Sequence, residues 1–462
     1  MDKLKSLRRF FGTQNMTVGS PLSCLLKFSI PMLLGNFAQL LYGMADSIIV
    51  GRYIGDAALS AIGTSGPIIN LFLLLYMAIG SGVSIMVAQY FGAKQTENLS
   101  DTIGSSISLI IISTVFITAV ATPLTGTLMH LIKAPEESYK MAVSYATIIF
   151  FGNFANGFFN IISGILRGLG EVVLPLVALL IAVVLNVGLD IWFVAGFGMG
   201  VSGAALATII SQTVAFIICI TKLLRMKHIV KLSRKSLRPK KRFIKQIIQL
   251  GVPMGITQGI FALSMVFVQS IINGMGYLVA AACAAVMRVD AFVVIPSQTY
   301  NMAISTYTGQ NIGAGRMDRV VQGAKALLRV SVGTAIVLIA LLLIFGRWMI
   351  GLFTTTQEVI DMGIRFITIM IPGYLIISIS QSFNGVIRGA GDTVATMWIT
   401  ILTNVVVRVP LAFILAKLTA SEIFPGGNPN VLFYTLIGAF CINLVLTLLY
   451  YKKGKWRNKA IV

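Results

Sequence analysis

Long apolar runs separated by short polar segments form the main pattern of this sequence. The runs are about 18 to 30 residues long, enough for an α-helix to cross a hydrocarbon core about 30 Å thick. Examples lie at 103–131, 173–197 and 336–353. The pattern predicts an all-α, polytopic membrane protein. Its twelve predicted helices lie at 25–50, 58–91, 102–131, 141–165, 173–196, 201–224, 244–273, 278–312, 321–350, 360–387, 395–417 and 431–451.

The composition agrees with this pattern and narrows the function classes. Of 462 residues, 56% are hydrophobic and only 11% are charged, whereas soluble domains carry about a quarter charged residues. The four cysteines are scattered, and the chain has only two histidines. Neither set has the spacing of a metal site or a disulfide framework. We therefore expect no catalytic residues, no cofactor and no enzymatic activity.

The net charge of +21 is explained by where the basic residues lie. If the N-terminus is cytoplasmic, the inner segments hold most of them and the outer segments hold few, which is the positive-inside bias. The inner set comprises Lys3, Lys5, Arg8, Arg9, Lys94, Arg167, Arg316, Arg319, Arg388 and the runs at 225–245 and 452–459. We therefore expect both termini in the cytoplasm, in a bacterial-type inner membrane. Anionic lipid is the expected partner of these charges, and nucleic acid is not.

The chain contains two copies of one unit, offset by about 221 residues. A proline near the start of the first helix, Pro31, matches Pro253 in the seventh, and glycine-rich helix ends repeat at the same offset. The repeats predict an N-terminal lobe at 1–224, a basic cytoplasmic linker at 225–243 and a C-terminal lobe at 244–462. Since each lobe has an even number of helices, both insert with the same orientation, related by an axis along the membrane normal.

A duplicated bundle is typical of carriers in which one lobe rocks against the other, although a channel or a scaffold has the same plan. Pro31 and Pro253 are hinge candidates, because a proline removes a backbone hydrogen bond and bends its helix. We expect the protein to act as a monomer on small organic molecules.

Ionisable residues within the apolar runs are few, and each is costly enough to need a role. In the first lobe, Asp46 lies near the outer end of the first helix, and Asn186 and Asp190 lie four residues apart near the outer end of the fifth. Asn156 and Asn160 of the fourth helix share one face. These side chains could coordinate Na⁺ through oxygen atoms, or a desolvated carboxylate could carry H⁺. A purely structural role for the acids is the alternative.

The second lobe differs, because a base replaces an acid. Asn404 and Arg408 of the eleventh helix correspond to Asn186 and Asp190. Arg288 and Asp290 of the eighth helix lie at a similar depth. We expect Asp290 to form a structural or gating ion pair with Arg408 or Arg288, and a second proton site is the alternative.

Several of these motifs, taken in order, make the chain resemble the multidrug and toxic compound extrusion (MATE) family over nearly its whole length. They are Ile30-Pro31, Asp46 with Gly51-Arg52, Gly92-Ala93, Leu166-Arg167-Gly168, Gly200-Val201-Ser202-Gly203-Ala204-Ala205, Gly309-Gln310-Asn311-Ile312-Gly313-Ala314 and Arg388-Gly389-Ala390-Gly391-Asp392-Thr393. The resemblance implies a V-shaped pair of six-helix lobes that exports organic, often cationic or amphipathic compounds in exchange for H⁺ or Na⁺. It implies ion coupling at Asp46, Asn186 and Asp190, the pattern of the DinF-like branch. The NorM-like branch has acids in the seventh and tenth helices; here the seventh helix has none, and the tenth has none between Pro372 and Ile387.

Three other functions remain open at this stage. A flippase for lipid-linked precursors belongs to the same superfamily. The resemblance implies that such flippases commonly have fourteen helices, so the twelve helices predicted here argue against this function. A membrane-embedded enzyme would need catalytic groups gathered at one depth, and only Asp46 and Asp190 meet that condition. A channel would show flux without coupling to an ion gradient.

Overall fold

A computed structural model describes residues 13–233, 236–421 and 426–462, and within these ranges the chain is helical with no β-strand. Lys3, Lys5, Arg8 and Arg9 of the predicted inner set lie outside the described residues. Eleven helices are long and apolar enough to cross a membrane, and a pair of helices bent by 48° at Gly152 makes a twelfth span. The predicted all-α fold with twelve spans is confirmed.

We number the spans α1 to α12. They are α1 Pro21–Tyr53, α2 Asp56–Gly92, α3 Thr96–Leu131, α4 Glu136–Phe151 with Asn153–Gly168, α5 Val173–Asp190 with Ile191–Gly196, α6 Gly200–Arg225, α7 Lys241–Gly274, α8 Tyr277–Gly313, α9 Met317–Gly351, α10 Gln357–Gly389, α11 Thr393–Ile401 with Leu402–Arg408 and Val409–Leu418, and α12 Asn430–Lys453.

The bend in α4 was not predicted, because the apolar pattern runs through it without a proline. At Gly152 a Cβ atom would lie 2.1 Å from Cδ1 of Ile209 in α6. Only glycine fits where α4 bends against α6. Because the chain has 44 glycines, this one does not mark the bend in the sequence.

The fifth helix of each half contains a π-helical stretch, which was also not predicted. In α5 the stretch Ile191–Gly196 follows Asp190 directly, and in α11 the stretch Leu402–Arg408 ends at Arg408. Wider turns of this kind are rare and occur often at functional sites. Both stretches therefore adjoin the charged residue that the repeat places in the fifth helix.

The duplication appears in the packing of α2 on α4 and of α8 on α10. A Cβ at Gly164 of α4 would lie 2.4 Å from the carbonyl oxygen of Gly80. In the second half, a Cβ at Gly385 of α10 would lie 2.5 Å from the carbonyl oxygen of Asn301. In both halves the helix backbones touch where a side chain is absent, which is how membrane helices pack closely.

The repeated sequence Arg-Gly-x-Gly followed by an acid ends one helix and begins the next. Gly170 and Gly391 have φ angles of 85° and 102°, a conformation that favours glycine. Glu171 then accepts hydrogen bonds from the amides of Val173 and Leu174. Glu171 is fully buried, and burial raises its pKa, although those bonds and Lys222, 3.8 Å away, act in the opposite direction.

Two compact units can be distinguished. One unit contains Ile30–Gly255, and the other contains Thr17–Ser29 and Ile256–Ile461. Two of the points where the chain passes between the units lie inside helices, beside Pro31 in α1 and Pro253 in α7. The division into lobes at 224/225 and 243/244 stays a prediction. The linker belongs to the first unit, where Lys240 binds Asp101 of α3 and the amide of Lys231 donates to Ser100.

Candidate functional site

The predicted acidic residues of the first unit come together inside it. Asp46 of α1 is 7% exposed, and Asn186 and Asp190 of α5 are completely buried. Asp46 and Asp190 lie near enough to interact electrostatically. The structure therefore brings the two carboxylates of the predicted ion site into one cluster.

The polar atoms of this acidic cluster are unusual because they lack hydrogen-bond partners. Within the described ranges, no donor reaches Oδ1 of Asp46 or either carboxylate oxygen of Asp190, and both polar atoms of the Asn186 amide are also unpaired. Buried polar atoms are nearly always hydrogen-bonded, and an uncompensated buried carboxylate is costly. The cluster is therefore a place where a proton or a small cation would be bound favourably.

Four further residues border the acidic cluster and were missed in the sequence. Tyr42, one turn before Asp46 on α1, has its hydroxyl next to Thr208 and Gln212 of α6, without standard hydrogen-bond geometry. Tyr145 of α4 is buried within electrostatic reach of the acids. The spacing of Tyr42 and Asp46 is a signal that could have identified Tyr42. No such signal exists for the residues of α4 and α6.

Asn156 and Asn160 of α4 were expected to join the ion site, but they bind each other instead. The side-chain amide of Asn160 donates to Oδ1 of Asn156 at 2.7 Å and to its carbonyl oxygen at 3.0 Å. In the part of the chain that the structure describes, no hydrogen bond connects them to Asp46 or Asp190. The backbone carbonyl oxygen of Asn160 would lie 3.0 Å from a Cβ at Gly80 of α2, and the side chains of Asn156 and Asn160 are partly exposed.

The predicted ion pair of the second lobe is not formed, so this expectation is corrected. Asp290 of α8 accepts a hydrogen bond from Tyr374 of α10. Arg288 is exposed and stacks on Phe353, with 5.2 Å between the guanidinium carbon and the ring centre. Residues two apart on a helix point in different directions, so Arg288 and Asp290 cannot easily meet.

Arg408 of α11 likewise has no acid beside it in the part of the chain that the structure describes. The ion pairs among the described residues are Lys222–Glu171, Lys240–Asp101 and Arg347–Asp361. Both terminal nitrogens of Arg408 lie 3.7 Å from the sulfur of Met265 in α7. Asn404, one turn earlier, accepts a hydrogen bond at its backbone carbonyl from Ser264.

The acidic cluster provides oxygen ligands. Two carboxylates, an amide oxygen, the Tyr42 hydroxyl and the Gln212 side chain are the hard donors that Na⁺ takes. The same pair of carboxylates can share a proton, because like charges in an apolar site cannot both ionise cheaply. The chemistry available here is reversible cation binding.

Comparison with protein families gives two matches, one in each half. The model of the MatE family matches residues 31–192 and residues 253–414. The chain belongs to the MatE family. The predicted resemblance is confirmed, and this MatE protein is thus a member of a family of membrane transporters rather than of enzymes.

Relatives of this MatE protein match it from end to end. "Probable multidrug resistance protein YoeA" of Bacillus subtilis is 29% identical, covering 94% of each chain. "Probable multidrug resistance protein NorM" of Thermotoga maritima is 27% identical, covering 95% of this chain and 94% of its own. A solved MATE family transporter of the MOP superfamily, in an outward-facing conformation, is 23% identical with a TM-score of 0.87, covering 96% and 97%. The preference for the DinF-like over the NorM-like pattern stays a prediction.

Proposed function

We propose that this MatE protein is a secondary antiporter that exports organic compounds, cationic or amphipathic, in exchange for H⁺ or Na⁺. The coupling ion binds at Asp46, Asn186 and Asp190. The observation that carries the proposal is the set of buried, unpaired carboxylate and amide oxygens in the acidic cluster. The multidrug names of the relatives support the substrate class. We further propose that the protein works as a monomer in the inner membrane with both termini in the cytoplasm.

The energetics of the acidic cluster suit ion coupling. Each ionised carboxylate held away from water costs several kcal/mol unless it is paired, and the two acids also repel each other. A bound proton or Na⁺ removes both penalties, so the free energy of any conformation that encloses the acids depends on ion occupancy. A second conformation that hydrates the acids would release the ion. The gradient then drives the cycle, because ion binding and conformation are linked.

The choice between H⁺ and Na⁺ depends on how many oxygen ligands close around the ion. Na⁺ needs several oxygens at once, whereas a proton needs one carboxylate and a neighbour that accepts a hydrogen bond. Asp46 and Asp190 by themselves meet the requirement for binding a proton. Binding Na⁺ would also need the oxygen atoms of Asn186, Tyr42 and Gln212. Loss of an amide oxygen should therefore weaken Na⁺ coupling much more than H⁺ coupling.

The test is export of a fluorescent organic cation from proteoliposomes with an imposed pH gradient or an imposed Na⁺ gradient. We expect Asp46→Asn and Asp190→Asn to reduce gradient-driven export roughly 5- to 150-fold, the usual range of a coupling factor. Asp361→Asn is the matched control, because this aspartate is 55% exposed and pairs with Arg347. Export by both site variants at the wild-type rate would refute the coupling role, and the gradient that drives wild-type export identifies the ion.

A further inference from the structure

Arg408 is a buried cation that forms no ion pair with any of the described residues. Its side chain is 3% exposed, and its Nε atom has no hydrogen-bond partner in the ranges described. The sulfur of Met265, 3.7 Å from both terminal nitrogens, is its neighbour. A thioether is a weak acceptor, so the guanidinium is left almost without compensation.

Arginine cannot escape this cost by losing its proton, because its guanidinium stays charged in proteins. Asp290, the acid that sequence depth suggested as a partner, is held by Tyr374 instead. A charge held in the membrane interior is stabilised by an opposite charge, by backbone carbonyls or by cavity water, and the described part of the chain provides no carboxylate within 4.0 Å of Arg408. An anion brought by a ligand would therefore be bound favourably here.

The position of Arg408 in the repeat favours a binding role over a structural one. Asn404 and Arg408 correspond to Asn186 and Asp190, and both pairs adjoin a π-helical stretch. Like the Asn186 amide, the side-chain oxygen of Asn404 is buried and unpaired. α11 thus repeats the polar pattern of α5 with the sign of the charge reversed.

We propose that Arg408 and Asn404 form a binding site for a monovalent anion in the second unit. The ligand is either a carboxylate on a transported organic molecule or a free halide ion. Met265 covers the guanidinium, and since its unbranched side chain adapts readily, it can turn aside to admit the ligand. The organic alternative rests on the proposed export function and broadens its substrates to zwitterions, whereas halide binding does not depend on it.

The experiment measures the thermal unfolding midpoint of the purified protein in phosphatidylcholine nanodiscs. Sodium chloride or sodium benzoate is titrated in, and the same titration of Arg408→Met measures the effect of ionic strength alone. We expect a saturable rise of the midpoint with at least one of the two anions. Arg408→Met should weaken the apparent affinity tenfold or more, as expected on losing a charge-assisted, bidentate contact. The control Arg347→Met, at a side chain 59% exposed, should respond like wild type.

Each outcome supports or overturns the anion site. A response to chloride alone identifies a halide site, and a response to benzoate alone identifies a site for an organic carboxylate. No saturable response in wild type, or equal responses in wild type and Arg408→Met, would overturn the proposal. If Arg408→Met does not fold, Arg408→Lys serves instead, because an ammonium group cannot form the forked contact and should bind about tenfold more weakly. Asp190→Asn should keep the anion response, which separates this site from failure of the coupling role.

Discussion

The contact between α2 and α4 gives the sharpest quantitative prediction. The perturbation is Gly164→Ala, which adds one methyl group where the two helix backbones touch. The new Cβ would lie 2.4 Å from the carbonyl oxygen of Gly80 and 3.0 Å from its carbon. Contacts below 3.0 Å essentially do not occur for real Cβ atoms, so the backbones must separate by at least 0.6 Å. No flexible side chain is available to move instead.

The magnitude follows from two opposing terms. Forcing an extra methyl group into a packed interior costs about 1–3 kcal/mol. Replacing a helical glycine by alanine raises the free energy of unfolding by about 1 kcal/mol, because alanine loses less backbone entropy on folding. We therefore expect a net loss of about 0–2 kcal/mol, centred near 1 kcal/mol, for Gly164→Ala. The control is Gly63→Ala in α2, where no atom lies within 4 Å of the new Cβ. The free energy of unfolding of this variant should rise by about 0.5–1 kcal/mol.

The assay is unfolding of the purified protein in detergent, followed by tryptophan fluorescence over a denaturant series. The informative quantity is the difference between the two variants, about 2 kcal/mol, since differences between variants are more secure than absolute stabilities. Equal stabilities for Gly164→Ala and Gly63→Ala would show that the two helices are not in backbone contact. Gly385→Ala in α10 should repeat the loss, because the duplication places the same contact there.

Three further predictions concern buried polar groups. Tyr374→Phe should lower the free energy of unfolding by about 1–3 kcal/mol, because Asp290 loses its donor; Tyr434→Phe, at a side chain 56% exposed, should change it little in the same assay. Burial raises the pKa of Glu171, so its carboxyl group binds a proton more tightly in the folded state than in the unfolded chain. The stability gained from this proton at low pH is therefore lost as the pH rises through the folded pKa. Glu171→Gln should therefore flatten the fall in stability above pH about 4.5, and an unchanged slope in unfolding measurements between acidic and neutral pH would contradict this. Tyr42→Phe should raise the ion concentration for half-maximal export by roughly tenfold, the scale of one hydrogen bond to a charged group, and an unaltered concentration in proteoliposomes would separate Tyr42 from the ion site.

The sequence alone determined the helical spans, the duplication and the acidic pair. Spans can be read directly because a bilayer imposes both a minimum apolar length and internally satisfied backbone hydrogen bonds. The first helix, expected at 25–50, is Pro21–Tyr53 in the structure, so the error is a few residues at each end. Asp46 and Asp190 could be identified because charges inside a membrane are too costly to be incidental.

Only the tertiary structure decided which polar groups meet. Comparing depths along the chain suggested Arg288 or Arg408 as the partner of Asp290, yet Tyr374 occupies that position. Depth fixes one coordinate, whereas a contact also depends on the rotation of each helix about its axis and on which helices are neighbours. The bend at Gly152 and the π-helical stretches change that rotation within single helices, without a mark in the apolar pattern. For this reason the lack of an acid beside Arg408 among the described residues could be seen only after the helices were packed.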